Sequence, residues 1–240
     1  MDWQTLAVAG VAALGGLMRG LTGFGGAMVM APILSMAYPP ARVVPVVMLL
    51  EAFIAAPMLW PAWKRAQRGL VLTICAAAVA ALPAGAFVLL HAPAQLLRRG
   101  IAGIVMALSL MLLGGVRYRG PRPLPLTVAI AAGCGVLLGA TGIGGPPMVV
   151  YLLSGPEPID VTRANMTVYA SVIAVAALSL LWLHGALQLG GALTPWLMAP
   201  SYGLGIALGT HLHGRTREQA LRRVAVLMLI AVCAVALLRG

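Results

Sequence analysis

The sequence predicts an all-α polytopic membrane protein with two homologous halves. Of its 240 residues, 61% are hydrophobic and only 9% are charged, whereas soluble domains average roughly 25% charged residues. Several apolar runs reach the roughly 17–25 residues that cross a bilayer. A glycine-rich segment also occurs twice, about half a chain apart. We therefore expect one integral membrane domain made of two repeats, residues 1–118 and residues 119–240.

The glycine-rich segment marks the same place in each half. The first glycine unit is Leu21–Gly26 and the second glycine unit is Ala140–Gly145. Both read Thr-Gly-apolar-Gly-Gly, and both interrupt an apolar run. Later landmarks match as well, since Arg42 pairs with Arg163 and Arg99 with Arg223. The offsets between the copies are 119, 121 and 124 residues, and this steady spacing favours a duplication.

Each half is predicted to contain a broken helix pair or hairpin followed by three spans. In the first half the arms are residues 3–18 and Ala27–Tyr38. The predicted spans are Val43–Trp63, Gly69–His91 and Gly100–Val116, with Arg98 and Arg99 in the loop before the last one. In the second half the arms are Leu124–Ala140 and Pro146–Leu153, and the spans are Val161–His184, Ala192–Thr210 and Val224–Leu238. Neither arm of the first pair reaches the length of a comfortable span.

The distribution of basic residues favours hairpins. If each glycine unit crosses the membrane once, seven Lys and Arg side chains fall on one side and eight on the other. If each unit is a hairpin, the counts become four and eleven, and the richer side is cytoplasmic. Three full spans per half then invert the second half relative to the first. We predict inverted repeats with both termini outside, although two full spans in place of each hairpin give the same counts.

The glycine units are the predicted substrate site. Such a run lets the backbone leave the helix and turn N–H groups toward a cavity. The helix that follows adds the partial positive charge of its N-terminus, so an anion is favoured. The predicted binding residues of the two units are Thr22, Gly23, Gly25, Gly26, Thr141, Gly142, Gly144 and Gly145. The alternative interpretation is close helix packing against small residues.

Three polar residues in the apolar runs extend this prediction. Arg19 precedes the first glycine unit and is a candidate anion contact, with snorkelling toward the interface as the alternative. Glu51 lies near the centre of a predicted span and is a candidate for proton coupling; a structural ion pair with Arg19 is the alternative. Asn165 is a candidate cavity residue. Leu138 and Val172 occupy the positions matched to Arg19 and Glu51, so the halves differ there.

The composition disfavours several other classes of protein. The net charge is +11, but the basic residues lie in short loops, so we expect contacts with membrane lipids and no nucleic acid. The three cysteines have no CxxC spacing and are interpreted as buried apolar residues. We find no nucleophile, paired-carboxylate or metal-ligand pattern. The expectation is therefore no enzyme, no metal and no cofactor.

Two motifs carry a resemblance to a known family. The segments Gly20–Gly26 and Gly139–Pro147, in a chain of this length and hydropathy, resemble the sulfite exporter TauE/SafE family of membrane transporters. The resemblance implies a small multi-pass transporter of the cytoplasmic membrane. It implies export of sulfur-containing anions such as sulfite, thiosulfate or sulfonates. Members are usually drawn with about seven to eight spans, which the hairpin topology does not reproduce without recounting.

The residues and the resemblance together predict a secondary transporter, a probable exporter, for a small sulfur-containing anion. Its partners would be that anion and membrane lipids, and a homodimer is left open. A passive anion channel is one alternative function, and it would show neither coupling nor saturation. A membrane adaptor that transports nothing is the other, and it would tolerate bulky replacements in the glycine units.

Overall fold

Every regular element in the described part of the chain is an α-helix. The computed structural model describes residues 3–22, 25–114, 122–186, 193, 195–212, 227, 230 and 233–234. The helices are α1 Trp3–Thr22, α2 Gly26–Ala37, α3 Pro40–Arg65, α4 Arg68–His91, α5 Ala94–Leu113, α6 Leu124–Thr141, α7 Gly145–Leu153, α8 Ile159–Leu183 and α9 Pro195–Leu212. Six of these described helices, α1, α3, α4, α5, α6 and α8, are long and apolar enough to cross a membrane. The predicted all-α polytopic membrane protein is confirmed.

Two predicted boundaries are wrong. α1 has 20 residues and includes Arg19, so the first arm is long enough to cross, because the single Gly20 lowers helix propensity by only about 1 kcal/mol and does not end the helix. α5 begins at Ala94, so Arg98 and Arg99 lie in a helix and not in a loop. Its start is set by Pro93, whose carbonyl accepts the Leu97 N–H (3.1 Å). The predicted span Val224–Leu238 lies outside the described residues apart from four positions.

The first glycine unit joins α1 and α2 as a hairpin. Gly25 has a φ of 108°, a left-handed conformation that favours glycine. α2 runs back along α1, since a Cβ added at Gly15 would lie 2.7 Å from Met30 Cγ and 3.1 Å from the Gly26 carbonyl oxygen. α2 has 12 residues, about 18 Å of helix in a hydrocarbon core of about 30 Å. α2 is therefore too short to cross the membrane on its own.

The second glycine unit joins α6 and α7 in the same way. Gly142 has a φ of 76° and ends α6, and a Cβ at Gly144 would lie 2.8 Å from Leu138 Cβ. α7 has only nine residues. Its C-terminus returns to the start of α6, where the Arg122 guanidinium donates to the Tyr151 carbonyl and to the Leu152 carbonyl (3.1 Å).

Five basic residues share one end of the molecule. The Gln67 N–H between α3 and α4 donates to Asn165 Oδ1 near the start of α8 (2.8 Å). The turn from α7 brings Arg122 to the same end, where it pairs with Glu157 (3.2 Å). The residues at this end are Lys64, Arg65, Arg68, Arg122 and Arg163. This is the arrangement that the hairpin alternative predicts for them, and the inverted relation of the two halves stays a prediction.

Glycine contacts join α1 to α9 at backbone distance. A Cβ at Gly16 would overlap the Tyr202 carbonyl and lie 3.0 Å from the Ile206 nitrogen. A Cβ at Gly20 would lie 2.8 Å from the Gly209 Cα. Small residues four apart allow this approach, and membrane helices use it because lipid offers no hydrophobic driving force for their association. We call this contact the α1–α9 seam.

An equivalent contact, the α4–α6 seam, joins α4 to α6. A Cβ at Gly135 would lie 2.9 Å from the Ala78 Cα, and a Cβ at Gly85 would lie 2.8 Å from the Ala140 nitrogen. Gly135 follows Gly16 by 119 residues, and Tyr202 follows Ala78 by 124, which are offsets of the sequence repeat. In each half, therefore, the first helix packs against the fourth helix of the other half.

Candidate functional site

A polar cluster lies beside the first hairpin, inside the apolar bundle. The Arg19 guanidinium of α1 forms an ion pair through Nη1 with Glu51 Oε2 of α3. The Tyr202 hydroxyl of α9 donates to the other carboxylate oxygen, Glu51 Oε1 (2.5 Å). The Arg19 and Glu51 side chains retain 15% and 16% of their exposure, so the pair is largely buried yet not sealed. We call Arg19, Glu51 and Tyr202 the polar cluster.

Gly26 closes the polar cluster from the side of α2. A Cβ at this position would lie 2.5 Å from Glu51 Oε1 and would overlap the Tyr202 hydroxyl, so only glycine fits without a shift. Gly26 is the first residue of α2, and the first N–H groups of a helix have no carbonyl partner within it. The helix N-terminus thus adds partial positive charge beside Glu51 and Arg19.

The depth of the polar cluster makes its charges functionally informative. Glu51 stands 11 residues after Pro40, the first residue of α3, and so lies about 17 Å along that helix. Ionised side chains at such depth are costly and face partners or wet cavities. Here each charge has its partner, and both side chains retain a small exposed fraction. The arrangement can hold an anion at Arg19 when the Arg19 guanidinium is no longer paired with Glu51.

The second glycine unit is built differently. The Thr141 hydroxyl is buried, donates to the Leu137 carbonyl (2.7 Å) and accepts from the Ile143 N–H (3.2 Å). The Thr141 hydroxyl proton is therefore used in a hydrogen bond that stabilises the turn. Open space surrounds the Cβ position of Gly145. The two prolines that follow Gly145 carry no N–H, so the N-terminus of α7 has fewer donors than that of α2.

Both glycine units contact α3. Gly26 lies against Glu51, and a Cβ at Gly142 would lie 3.4 Å from Val44 Cγ1. Val44 and Glu51 are two turns apart, about 10 Å along the helix. The structure thus brings Arg19, Gly26 and Glu51 together and connects the second unit to them through α3. Gly23 and the Thr22 side chain lie outside the described residues.

Asn165 lies away from the polar cluster. It is buried, and its Oδ1 accepts the Gln67 N–H at the start of α4. This contact ties α8 to the α3–α4 turn. Whether Asn165 also contacts substrate stays a prediction.

Tyr202 is the residue that the sequence analysis missed. Its side chain is fully buried, yet its hydroxyl completes the coordination of Glu51. A buried tyrosine hydroxyl usually finds a polar partner, so a tyrosine in the middle of the apolar α9 segment was an available signal. Ala78 occupies the matched position in the first half. This difference between the halves was a second signal in the sequence.

The described residues offer no other obvious chemistry. No group of three or more His, Cys, Asp or Glu side chains in the described part of the chain is placed to hold a metal ion. Cys75, Cys134 and Cys233 are free thiols and buried, as predicted for apolar core positions. Among the described residues, the polar cluster is therefore the strongest candidate site.

Comparison with known proteins gives one match, to a protein family. Neither curated proteins nor solved structures give a match. Among protein families, the one described as Sulfite exporter TauE/SafE matches residues 8–236, which includes both glycine units, both seams and the whole polar cluster. The chain therefore belongs to the sulfite exporter TauE/SafE family, a family of multi-pass membrane transporters for sulfur-containing anions and not of enzymes.

Proposed function

We propose that this protein is a secondary transporter that exports a small sulfur-containing anion, such as sulfite, thiosulfate or a sulfonate, across the cytoplasmic membrane. The observation that carries the proposal is the polar cluster at the N-terminus of α2. Arg19 supplies a buried cation next to a helix N-terminus, and the two together favour an oxyanion. Family membership supports the chemical class of the substrate.

Glu51 is the proposed proton carrier. Its carboxylate and the substrate compete for the same guanidinium, because Arg19 pairs with Glu51 when no anion is bound. Protonation of Glu51 weakens that pair and frees Arg19 for the substrate. Deprotonation restores the pair and expels the anion. This exchange would couple anion movement to proton movement, which a passive anion channel does not do.

The proposed movement follows the seams. Backbone contacts join α1 to α9 and α4 to α6, and each of these contacts links helices of both halves. We propose that α1, α2 and α9 form one moving group and α4, α6 and α7 the other. Between the groups, α3 meets α8, where the Ser171 hydroxyl donates to the Ala55 carbonyl (3.2 Å). Sliding of α3 against α8 would open the polar cluster to either side.

Uptake into proteoliposomes tests this function. Radiolabelled sulfite outside the vesicles is measured with and without unlabelled sulfite inside. A secondary transporter gives saturable uptake that internal sulfite accelerates. An unsaturated flux that internal sulfite does not accelerate identifies a channel. The absence of any flux, with protein that is folded and inserted, would favour the adaptor alternative and contradict the proposal.

A further inference from the structure

In the polar cluster, one positive charge balances one negative charge. Arg19 contributes one positive charge and Glu51 one negative charge in the empty state. The other groups that face Glu51 are neutral, since Tyr202 comes from α9 and the Gly26 backbone from α2. We infer that the site takes one monovalent oxyanion together with one proton on Glu51 and moves them as a neutral pair. This inference rests on the proposed function.

Charge accounting separates monovalent from divalent substrates. When Glu51 is protonated, Arg19 and a monovalent anion again sum to zero. A divalent anion would leave one uncompensated negative charge at mid-membrane depth, and so would a monovalent anion beside an ionised Glu51. Buried charge without a partner is strongly disfavoured. The site therefore suits a sulfonate or hydrogensulfite, and it disfavours sulfate and thiosulfate as dianions.

The two oxygens of Glu51 have separate partners, which makes the exchange geometrically simple. Oε2 faces the Arg19 guanidinium, and Oε1 accepts the Tyr202 hydroxyl. A proton bound at Oε2 removes the charge that holds Arg19, while the hydrogen bond from Tyr202 keeps the carboxyl group in place. Tyr202 is thus a positioning residue, and it acts through Glu51 and not on the anion.

The repeat-related positions hold no equivalent of this exchange. Leu138, Val172 and Ala78 occupy the positions matched to Arg19, Glu51 and Tyr202. All three are apolar, so a second buried cation is not available at the repeat-related place. One anion and one proton per chain follow from this asymmetry. A neutral pair does not respond to the membrane potential, so export proceeds when the outward gradient of the anion exceeds the inward gradient of protons.

Proteoliposomes with full-length protein test the stoichiometry. The probe is methanesulfonate, whose charge stays at minus one at every working pH, so any proton that moves with it must be carried by the protein. We expect an inward methanesulfonate gradient to acidify the interior with one proton per anion and without electrical current. We expect sulfate and thiosulfate to be taken up at least about 50-fold less well, because an unpaired charge at this depth is costly.

Variants and controls separate the possible outcomes. Glu51→Gln should abolish proton movement and leave any remaining methanesulfonate uptake electrogenic. Glu157→Gln removes the acid of the other Arg–Glu pair, and it should keep one proton per anion. A current in the wild type, or equal uptake of thiosulfate, would overturn the inference while the proposed function stands. No uptake of methanesulfonate or of sulfite would overturn both.

Discussion

At the scale of single residues, the account depends on which atoms surround Glu51. Arg19 and Tyr202 come from helices of different halves and meet at one carboxylate. Gly26 completes the site by having no side chain. A substitution at any of these positions therefore acts on anion binding, whereas a substitution at an open glycine does not.

Gly26→Ala should abolish most transport. The added Cβ would meet Glu51 Oε1 and the Tyr202 hydroxyl, so the carboxylate must move away from Arg19. We expect sulfite uptake to fall about 100-fold or more, which corresponds to about 3 kcal/mol of lost binding. The measurement is the initial rate of uptake per inserted protein. Gly133→Ala in α6, where the Cβ position is open, is the matched control, and equal rates for the two variants would contradict the site.

Asn165→Ala should reduce stability. The substitution leaves the Gln67 N–H without its acceptor, and the loss of one such part-buried hydrogen bond costs about 0.5–1.5 kcal/mol of the free energy of unfolding. Thermal unfolding in detergent measures the effect, with the exposed Thr73 replaced by Ala as a control. An unchanged melting temperature for Asn165→Ala would show that the contact with Gln67 contributes little.

The residues of the site were predictable to different degrees. Arg19, Glu51 and the glycines were visible because charges and glycine runs are conspicuous in apolar sequence. The sequence could not decide whether Arg19 and Glu51 form an ion pair, since a contact between residues 32 positions apart leaves no local sequence pattern. Tyr202 was missed because its role depends on the α1–α9 seam, which brings helices from opposite ends of the chain together.

At the scale of helices, the seams determine where the site residues stand. Gly16 contacts α9 at Tyr202 itself, so the α1–α9 seam sets the position of the tyrosine relative to Arg19. The sequence predicted nearly every helix from apolar length. It could not predict which helices pair, because glycines spaced by four occur in α1, α6 and α9 alike.

Gly16→Ala should destabilise the protein. The methyl group would overlap the Tyr202 carbonyl. Overpacking of a tight contact typically lowers the free energy of unfolding by about 1–3 kcal/mol. The expected result is a lower melting temperature in detergent and a lower yield of folded protein. Gly10→Ala lies in the same helix with open space at its Cβ position. Equal melting temperatures for Gly10→Ala and Gly16→Ala would show that the α1–α9 seam is not a close contact.

At the scale of the whole molecule, the cross-pairing of the halves constrains how the transporter moves. Each seam joins helices from both repeats, so the proposed moving groups are drawn from both halves. The division of the chain into two repeats, residues 1–118 and 119–240, remains a prediction about ancestry. It does not by itself define the parts that move.

A crosslink between α3 and α8 should stop transport. We would introduce Ala55→Cys and Ser171→Cys into a variant without the three native cysteines, because Ser171 contacts the Ala55 carbonyl. A short thiol crosslinker should block sulfite uptake, since it prevents sliding of α3 against α8. The control pair is Gly15→Cys with Met30→Cys, which joins α1 and α2 inside one moving group. Equal inhibition by both crosslinks would contradict the proposed division.

Sulfite uptake by Arg19→Gln tests whether the transported anion binds at Arg19. Arg19 is the buried cation to which the account assigns the anion, and Arg42→Gln, at an exposed basic residue near the start of α3, is the matched control. We expect saturable uptake for the wild type and for Arg42→Gln. For Arg19→Gln, in protein that is inserted and folded, we expect uptake to fall by about 100-fold or more. Uptake by Arg19→Gln at the rate of the wild type would show that the anion binds elsewhere.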